Sequence, residues 1–547
     1  MAIDRMIEPG RRIVAWLGAD IPAAAFDALK DREYSLETCT SEQLEDSSYL
    51  ATVGAVVILV ASGEQGLNAF KLLLERHSRK LLDFDCRVII IVERNEPNDI
   101  WITNLLRRLK VPNSNFLPSD RVAEFRDFQD PEGEVAQPNF RFYSPGYSWE
   151  SIANFLVFHP AGKAPDSQVA IEPREKFTDD EKLLLARAFE GCNEIHLESM
   201  EDGKSDARVY KAHARLPGII GAWSQPYFVK IGPRKDILAE FVNYQDKVDP
   251  YVPFHLGPHL VADRCCLGGR EAVIVGDFVE QSESLKDAAR GGRAAMAIAC
   301  LFDRTLRGWY KNCRSNDTRA FMTMPGSRVP QYFPNRVWRT SRTVGAVLDV
   351  AGLTAQLGRC VQTPWYRGPI HGDLHSTNVR VRATDAIVID FAAHRDGLVL
   401  RDIARLEVSL LVDAFGGPPY EDLNDENRCD GNAWLRDVLP LYRVNPTAND
   451  AIPHEDPKSA AYWFHVSVRQ IRLHARPFEL GSTQYAAALA LELLTKAGRK
   501  DKLKPFEVFR RGAAIYLAEK LLETVFPTPA AAQATAAPAQ PQIAPAA

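Results

Sequence analysis

A chain of 547 residues has room for about three or four domains, and its 46% hydrophobic and 25% charged residues are the proportions of a globular protein. Lys and Arg number 66 against 71 Asp and Glu, a formal net charge of −5, so no overall basic field points to nucleic acid or an anionic membrane surface as partner. Nine cysteines are scattered without metal-ligand spacing, Cys265 and Cys266 being the only close pair, and they read as reduced thiols of a cytoplasmic protein.

The opening MAIDRMIEPGRR carries charges and a proline where a signal peptide needs an apolar core. No stretch approaches the apolar length of a membrane span, so no membrane partner is expected. Residues 1–117 read as a separate α/β unit. Strand-like RRIVAWLG near Ile13, AVVILVAS near Val57 and RVIIIVE near Ile90 alternate with helical AAAFDALKD and GLNAFKLLLERHSRKL, the pattern of a parallel sheet with covering helices. This unit resembles a flavodoxin-like receiver domain. Receivers carry acidic residues after the first strand and a phosphoacceptor aspartate ending the third, whereas here AVVILVAS runs into Gly63 and Glu64 without an aspartate. The resemblance therefore implies a pseudo-receiver used for contacts with a protein partner. A family-specific α/β cap without receiver ancestry fits the same pattern, and no Gly-rich dinucleotide fingerprint follows the first strand.

Residues 118–175 are rich in Pro, Gly and polar side chains and read as a linker. A helix over 176–192 follows, with Thr178 as N-cap and acidic residues in its first turn. Leu197 to Ala214 has the form of strand, turn and strand, with Gly203 and Ser205 in the turn. The strand Tyr227 to Ile231 carries Lys230, and a helix beginning near Asp236 carries Glu240. The strand EAVIVGDFV, 271–279, runs through Asp277 and Phe278 into another helix opening.

The most informative segment is HGDLHSTN, 371–378, followed by the hydrophobic run AIVIDF that ends on Asp390 and Phe391. Aspartate, four residues and then asparagine is the spacing of a kinase catalytic loop. Phosphoryl transfer asks a protein for positioning and charge neutralisation more than for covalent chemistry. On that reading Asp373 is the catalytic base for an acceptor hydroxyl, while Asn378 and Asp390 offer the hard oxygen ligands that magnesium prefers beside water and ATP phosphates. Two short β-branched runs, 379–381 and 386–389, flank a turn at Ala383 to Asp385 and place the loop before a hairpin. His371 and His375 read as loop-bracing imidazoles and not as ligands.

HGDLHSTN with VIDF resembles the aminoglycoside phosphotransferase and choline kinase-like branch of the protein kinase fold, in which a glycine such as Gly372 stands where protein kinases have arginine. The resemblance implies an α+β bilobal domain, with an N-lobe over 176–280 and a helical C-lobe over 281–526. It implies that Lys230 pairs with Glu240 to hold the nucleotide phosphates, and that Gly203 and Ser205 sit in the phosphate-covering loop. Backbone groups around Gly276, Asp277 and Phe278 would bond the adenine, and Asp402 in GLVLRDIARLE would brace the catalytic loop. The helix opening at 176, VKIGP and RDIARLE are also similar to bacterial kinase-like domains described as ternary-complex-associated and attached to signalling or conflict-defence proteins.

Beyond Arg401 the periodicity is helical, for example in DIARLEVSLLVDAF, YAAALALELLTKA and AAIYLAEKLLETVF. The acidic run Glu421 to Asp430 suits either a solvated loop or a surface facing a cationic acceptor. Residues 527–547 hold almost only Ala, Pro and Gln, and read as a disordered tail. The expectation is a cytoplasmic ATP- and magnesium-dependent phosphotransferase acting on an unknown hydroxyl acceptor. A nucleotide-binding pseudokinase scaffold and a small-molecule kinase are the alternatives.

Overall fold

The computed structural model describes residues 11–18, 20–61, 64–92, 116–117, 139–143, 147–173, 177–200, 207–217, 223–324, 327–361, 364–416, 419–420, 430–448, 456–499 and 503–527. The chain forms two compact units, residues 1–246 with 258–280 and residues 247–257 with 281–547. Among the described residues no helix is long and apolar enough to cross a membrane.

In the first unit, β1 (Ile13–Leu17), β2 (Ser35–Thr38), β3 (Val53–Val60), β4 (Arg87–Val92), β5 (Phe116–Leu117) and β6 (Phe140–Tyr143) form one sheet. Its order is β2-β1-β3-β4-β6-β5, and every neighbouring pair is parallel. The helices α1 (Ala23–Lys30), α2 (Ser47–Thr52), α3 (Glu64–Asp83) and α4 (Trp149–Phe158) accompany it. β3 and β4 are near-continuous β-branched runs because a central strand of a parallel sheet is covered on both faces. The two-residue period sorts their side chains. Val56, Ile58, Val88 and Ile90 pack with Leu74 and Leu81 of α3, while Val57, Ile89 and Ile91 pack with Leu29 of α1 and Ile152 and Phe155 of α4. Each such side chain, fully buried, stabilises the fold by roughly 1.5–3 kcal/mol.

β6 and α4 lie inside 118–175, where the composition predicts a linker, and both belong to this sheet and its cover. The four residues of FRFY are too short a run for their alternation to stand out among Pro and Gly.

A second sheet in the same unit contains β7 (Ala170–Glu172), β8 (Glu194–Ser199), β9 (Arg208–Arg215), β10 (Tyr227–Pro233), β11 (Cys266–Leu267) and β12 (Glu271–Asp277), in the order β11-β12-β10-β9-β8-β7. All neighbours are antiparallel except β7 with β8, and β7 joins the sheet ahead of the boundary expected at 176. α5 (Asp179–Ala188) opens on a capping box between Thr178 and Glu181, and α6 (Arg234–Asn243) follows β10 without a loop.

A buried polar hub centres on Asp85. Arg87 Nη1 lies 2.7 Å from Asp85 Oδ1, and Asn139 Nδ2 donates to the same oxygen at 3.0 Å. The Oδ1 of Asn139 accepts from Arg234, the first residue of α6, at 3.2 Å. Burial would raise the Asp85 carboxyl, but the guanidinium groups of Arg87, Arg187, Arg234 and Arg11 outweigh it and hold that carboxyl well below the usual carboxylate range.

The second unit is mostly helical. It holds one small sheet, β13 (Glu283–Ser284), β16 (Val379–Arg382) and β17 (Asp385–Val388), and another, β14 (Arg314–Asp317), β15 (Trp365–Ile370) and β18 (Arg395–Leu398). Its helices are α7 (Leu285–Arg290), α8 (Ala294–Cys300), α9 (Arg307–Lys311), α10 (Asn335–Val344), α11 (Val350–Gly358), α12 (Val399–Ser409), α13 (Gly431–Val438), α14 (Tyr462–Ala475), α15 (Gln484–Ala497) and α16 (Pro505–Val525). Nearly every residue of α15 is buried, as a helix apolar on all sides must be. Residues 528–547, where a disordered tail is expected, lie outside the described residues.

Candidate active site

The HGDLHSTN segment links β15 to β16, and its backbone is held from below by α12. Both carboxylate oxygens of Asp402 accept from the loop, Oδ2 from the His371 amide at 2.8 Å and Oδ1 from the Gly372 amide at 3.0 Å. Asp402 is 2% exposed, and burial pushes its carboxyl above its ordinary value despite the nearby His371 ring and the two amides. Gly372 has φ +78°, and an added Cβ there would collide with the carbonyl oxygen of Ala393. Only glycine meets both conditions. The His371 ring accepts from the Asp373 amide through Nδ1 at 3.3 Å, which assigns its proton to Nε2, 3.0 Å from the Ile389 carbonyl oxygen. His371 is therefore a packed, bracing imidazole.

Asn378 Nδ2 donates to the Asp373 carbonyl oxygen at 3.1 Å, and the Asn378 carbonyl accepts from the Ile389 amide at 2.9 Å. The β16–β17 hairpin thus brings Asn378 to the residue preceding Asp390. Asp390 has φ +65°, the left-handed region that aspartate tolerates better than most residues, and marks a backbone bent for a purpose. An amide oxygen and a carboxylate are the donor chemistry that suits magnesium. Among the described residues no three His, Cys, Asp or Glu side chains converge as a metal cluster, so water and phosphate oxygens would have to complete such a shell.

The Asp373 carboxylate is a third exposed and lies among Arg405, Arg499 and the His375 ring. His375 Nε2 lies 3.5 Å from Oδ2, Arg405 Nη1 3.4 Å from Oδ1 and Arg499 Nη2 3.5 Å from Oδ1. Burial acts to raise its pKa, but His375, Arg405 and Arg499 together hold the carboxyl well below the usual range. Arg405 also donates to the Gly372 carbonyl oxygen, and with Arg401 it grips Glu492 of α15, at 3.0 and 2.5 Å.

In the first unit, Lys230 Nζ lies 2.6 Å from Glu240 Oε2, with both side chains buried. The ten-residue offset that joins β10 to α6 brings this pair together. Asp277 ends β12 and Phe278 follows it, and the amides of both are engaged. Asp277 N–H donates to the His259 carbonyl at 2.8 Å and Phe278 N–H to the Pro226 carbonyl at 3.2 Å, so these two donors are engaged within the fold. Lys211 Nζ stands 5.4 Å over the Phe278 ring. Gly203 and Ser205 lie outside the described residues, as do positions 421–429 of the acidic run.

Sequence reasoning missed Arg405, Arg499 and Glu492. Arg405 had a legible signal, since it stands one helical turn after Asp402 and so shares its face of α12. Arg499 and Glu492 come from distant sequence and carried none.

Residues 349–491 match the family described as Ternary complex associated domain 9. No curated protein matches the chain. Among solved structures, it is similar to an amicoumacin kinase in complex with AMP-PNP and Ca2+, at 14% identity over 61% of this chain and 90% of that one, with a TM-score of 0.34. It is also similar to the aminoglycoside phosphotransferase APH(4)-Ia in complex with ADP and hygromycin B, at 12% identity over 61% and 95% and a TM-score of 0.32. An ethanolamine kinase of Plasmodium vivax matches at 10% identity over 78% and 98%, with a TM-score of 0.30. At these identities and TM-scores the likenesses carry no argument about activity.

Proposed function

We propose that the chain is an ATP- and magnesium-dependent phosphotransferase that moves the γ-phosphoryl group to a hydroxyl acceptor. The observation that carries this reading is the loop itself: Asp373 and Asn378 joined through the Asp373 carbonyl, with Asp390 set by a left-handed backbone beside the hairpin. Lys230, held by Glu240, is a cation at the strand position where such enzymes hold nucleotide phosphates. Asn378 and Asp390 would hold magnesium, which when bound neutralises charge on the transferring phosphoryl group. Asp373 accepts the acceptor's hydroxyl proton and orients that oxygen. Asp402 and the His371 ring keep Asp373 from drifting by fixing the two residues before it and its own amide.

A second reading is favoured by one observation. Arg405 and Arg499 crowd the Asp373 carboxylate and weaken it as a base, as would suit a nucleotide-binding scaffold without turnover. Titrating the protein with ATP, with and without magnesium, while following labelled γ-phosphate separates the two. Magnesium-dependent binding with transfer or release that is lost in Asp373→Asn supports the enzyme, and binding without turnover supports the scaffold.

The strand order of the first sheet, in which β2, β1, β3 and β4 lie side by side and parallel, is that of flavodoxin-like folds. It is the observation behind our reading of a receiver-like domain, and from the missing phosphoacceptor after β3 we infer a domain that serves protein contacts within a signalling or defence assembly.

A further inference from the structure

Beside the catalytic loop, and entirely within the second unit, lies a cavity of about 330 Å³. Gly372 and Arg405 form the wall it shares with the loop, and β14, β15, β18, α12, α15 and Met324 supply the rest. Its lining is rich in guanidinium groups: Arg367, Arg395, Arg401 and Arg405.

The carboxylates in the same lining are already committed. Glu492 serves Arg401 and Arg405 together, at 2.5 and 3.0 Å. Asp396 pairs with Arg367 at 2.7 Å, and Asp317 accepts from Arg319 and Arg367 at 2.5 and 3.4 Å. Asp402 is consumed by the loop amides. Arg395 differs, because among the described residues its side chain makes no hydrogen bond or ion pair. Its backbone position is fixed, since β18 pairs antiparallel with β15 and sets Arg395 opposite Ile370, the residue before His371, while its side chain is exposed at the cavity. Burial and the charges of Arg405 and Arg401 push the Arg395 guanidinium below its ordinary value, outweighing the opposite pull of Asp402 and Glu492.

We propose that this cavity is the acceptor subsite and that it takes an acceptor bearing an oxyanion, a phosphate or carboxylate group, bound by Arg395 beside Arg401 and Arg405. The inference rests on the phosphotransferase reading above and names the acceptor class for it. Glu492 is shared by Arg401 and Arg405, and Arg395 stands beside them without a carboxylate partner among the described residues, so an oxyanion matches these planar guanidinium donors in charge and geometry where an ammonium group does not. Arg405 reaches both the cavity and Asp373, so an anion seated there places the rest of the acceptor toward the base. In the reaction the bond from the β,γ-bridging oxygen to the γ-phosphorus breaks as the acceptor hydroxyl oxygen bonds that phosphorus. The hydroxyl proton passes to Asp373 and ADP leaves.

The test is calorimetric titration of the full chain with inorganic phosphate, the nucleotide site being filled with a non-hydrolysable ATP analogue, for the wild type, Arg395→Gln and Arg395→Lys. Magnesium–ATP binding is measured separately on each. The expected result is phosphate binding that weakens at least about tenfold in Arg395→Gln, returns in part in Arg395→Lys, and leaves magnesium–ATP affinity unchanged in both. Arg395 makes no side-chain bond among the described residues, so near-ultraviolet circular dichroism is expected to stay the same. Phosphate that binds all three proteins equally, or none of them, overturns the subsite while leaving the phosphotransferase reading intact. Phosphate binding that depends on Arg395 in a protein that binds no ATP overturns the phosphotransferase reading, and the acceptor assignment with it.

Discussion

Asp373 is set among His375, Arg405 and Arg499, and a carboxylate so placed stays ionised through the whole working pH range. It orients a hydroxyl better than it removes a proton early, so its contribution belongs to the transition state. Replacing it by Asn keeps shape and removes charge, and turnover is expected to fall by roughly 10² to 10⁴ with ATP affinity nearly intact. Single-turnover transfer and nucleotide titration on the same sample check this, and unchanged turnover would remove Asp373 from the reaction. Gly372 gives a sharper structural test. A methyl group at φ +78° against the Ala393 carbonyl is expected to destabilise the second unit by roughly 1–3 kcal/mol. Denaturant unfolding of Gly372→Ala reads that loss directly. This glycine was legible as a family mark, while its cause, a positive φ under a carbonyl from β18's approach, was not.

At the scale of elements, α12 organises the second unit. Asp402 faces the loop, Arg401 and Arg405 face Glu492 on α15, and Glu407 meets Arg472 of α14 at 2.7 Å and the Tyr485 hydroxyl at 2.8 Å. Glu407 and Arg472 are both fully buried. Removing one partner strands the other's charge, so Arg472→Met alone is expected to cost about 3–5 kcal/mol, and Arg472→Met with Glu407→Leu much less. Chemical denaturation of the two single variants and the double gives the coupling, and additive losses would show that the pair acts independently. The helix was legible from its apolar period, and β10 with Lys230, the β16–β17 hairpin and the Thr178 N-cap of α5 were legible too. Its polar partners were not, because Glu492 and Arg472 sit on other helices whose approach no local pattern encodes. Short strands fared worst. β6 and β7 are paired only because β4 and β8 are already in place beside them.

At the scale of the whole chain, the sequence placed the break after the first α/β unit too early. The sheet closes only when β6 and α4 arrive, and the Asp85 hub then ties that sheet to α6 through Asn139 and Arg234. His159 lies at this hub's edge, where burial and then Arg87, Arg141 and Arg234 lower its pKa to about 3. A histidine kept neutral by the fold favours unfolding once the pH drops below its unfolded value of about 6.5. Stability of the first unit is therefore expected to decline between pH 7 and pH 5 by up to about 2 kcal/mol on account of this residue. The difference between wild type and His159→Gln in urea melts at the two pH values isolates it, and equal pH slopes would refute it. The cysteines divide along the same line. Cys39, Cys86, Cys192, Cys265 and Cys266 are buried in the first unit, Cys300 and Cys360 are buried in the second, and Cys313 there is half-buried. Burial pushes the Cys265 thiol up to about 12, so little reactive thiolate forms while the fold is closed. The protein thus carries its own set of stopwatches: under an alkylating reagent, whichever of the seven buried cysteines gains mass first names the half of the chain that opened.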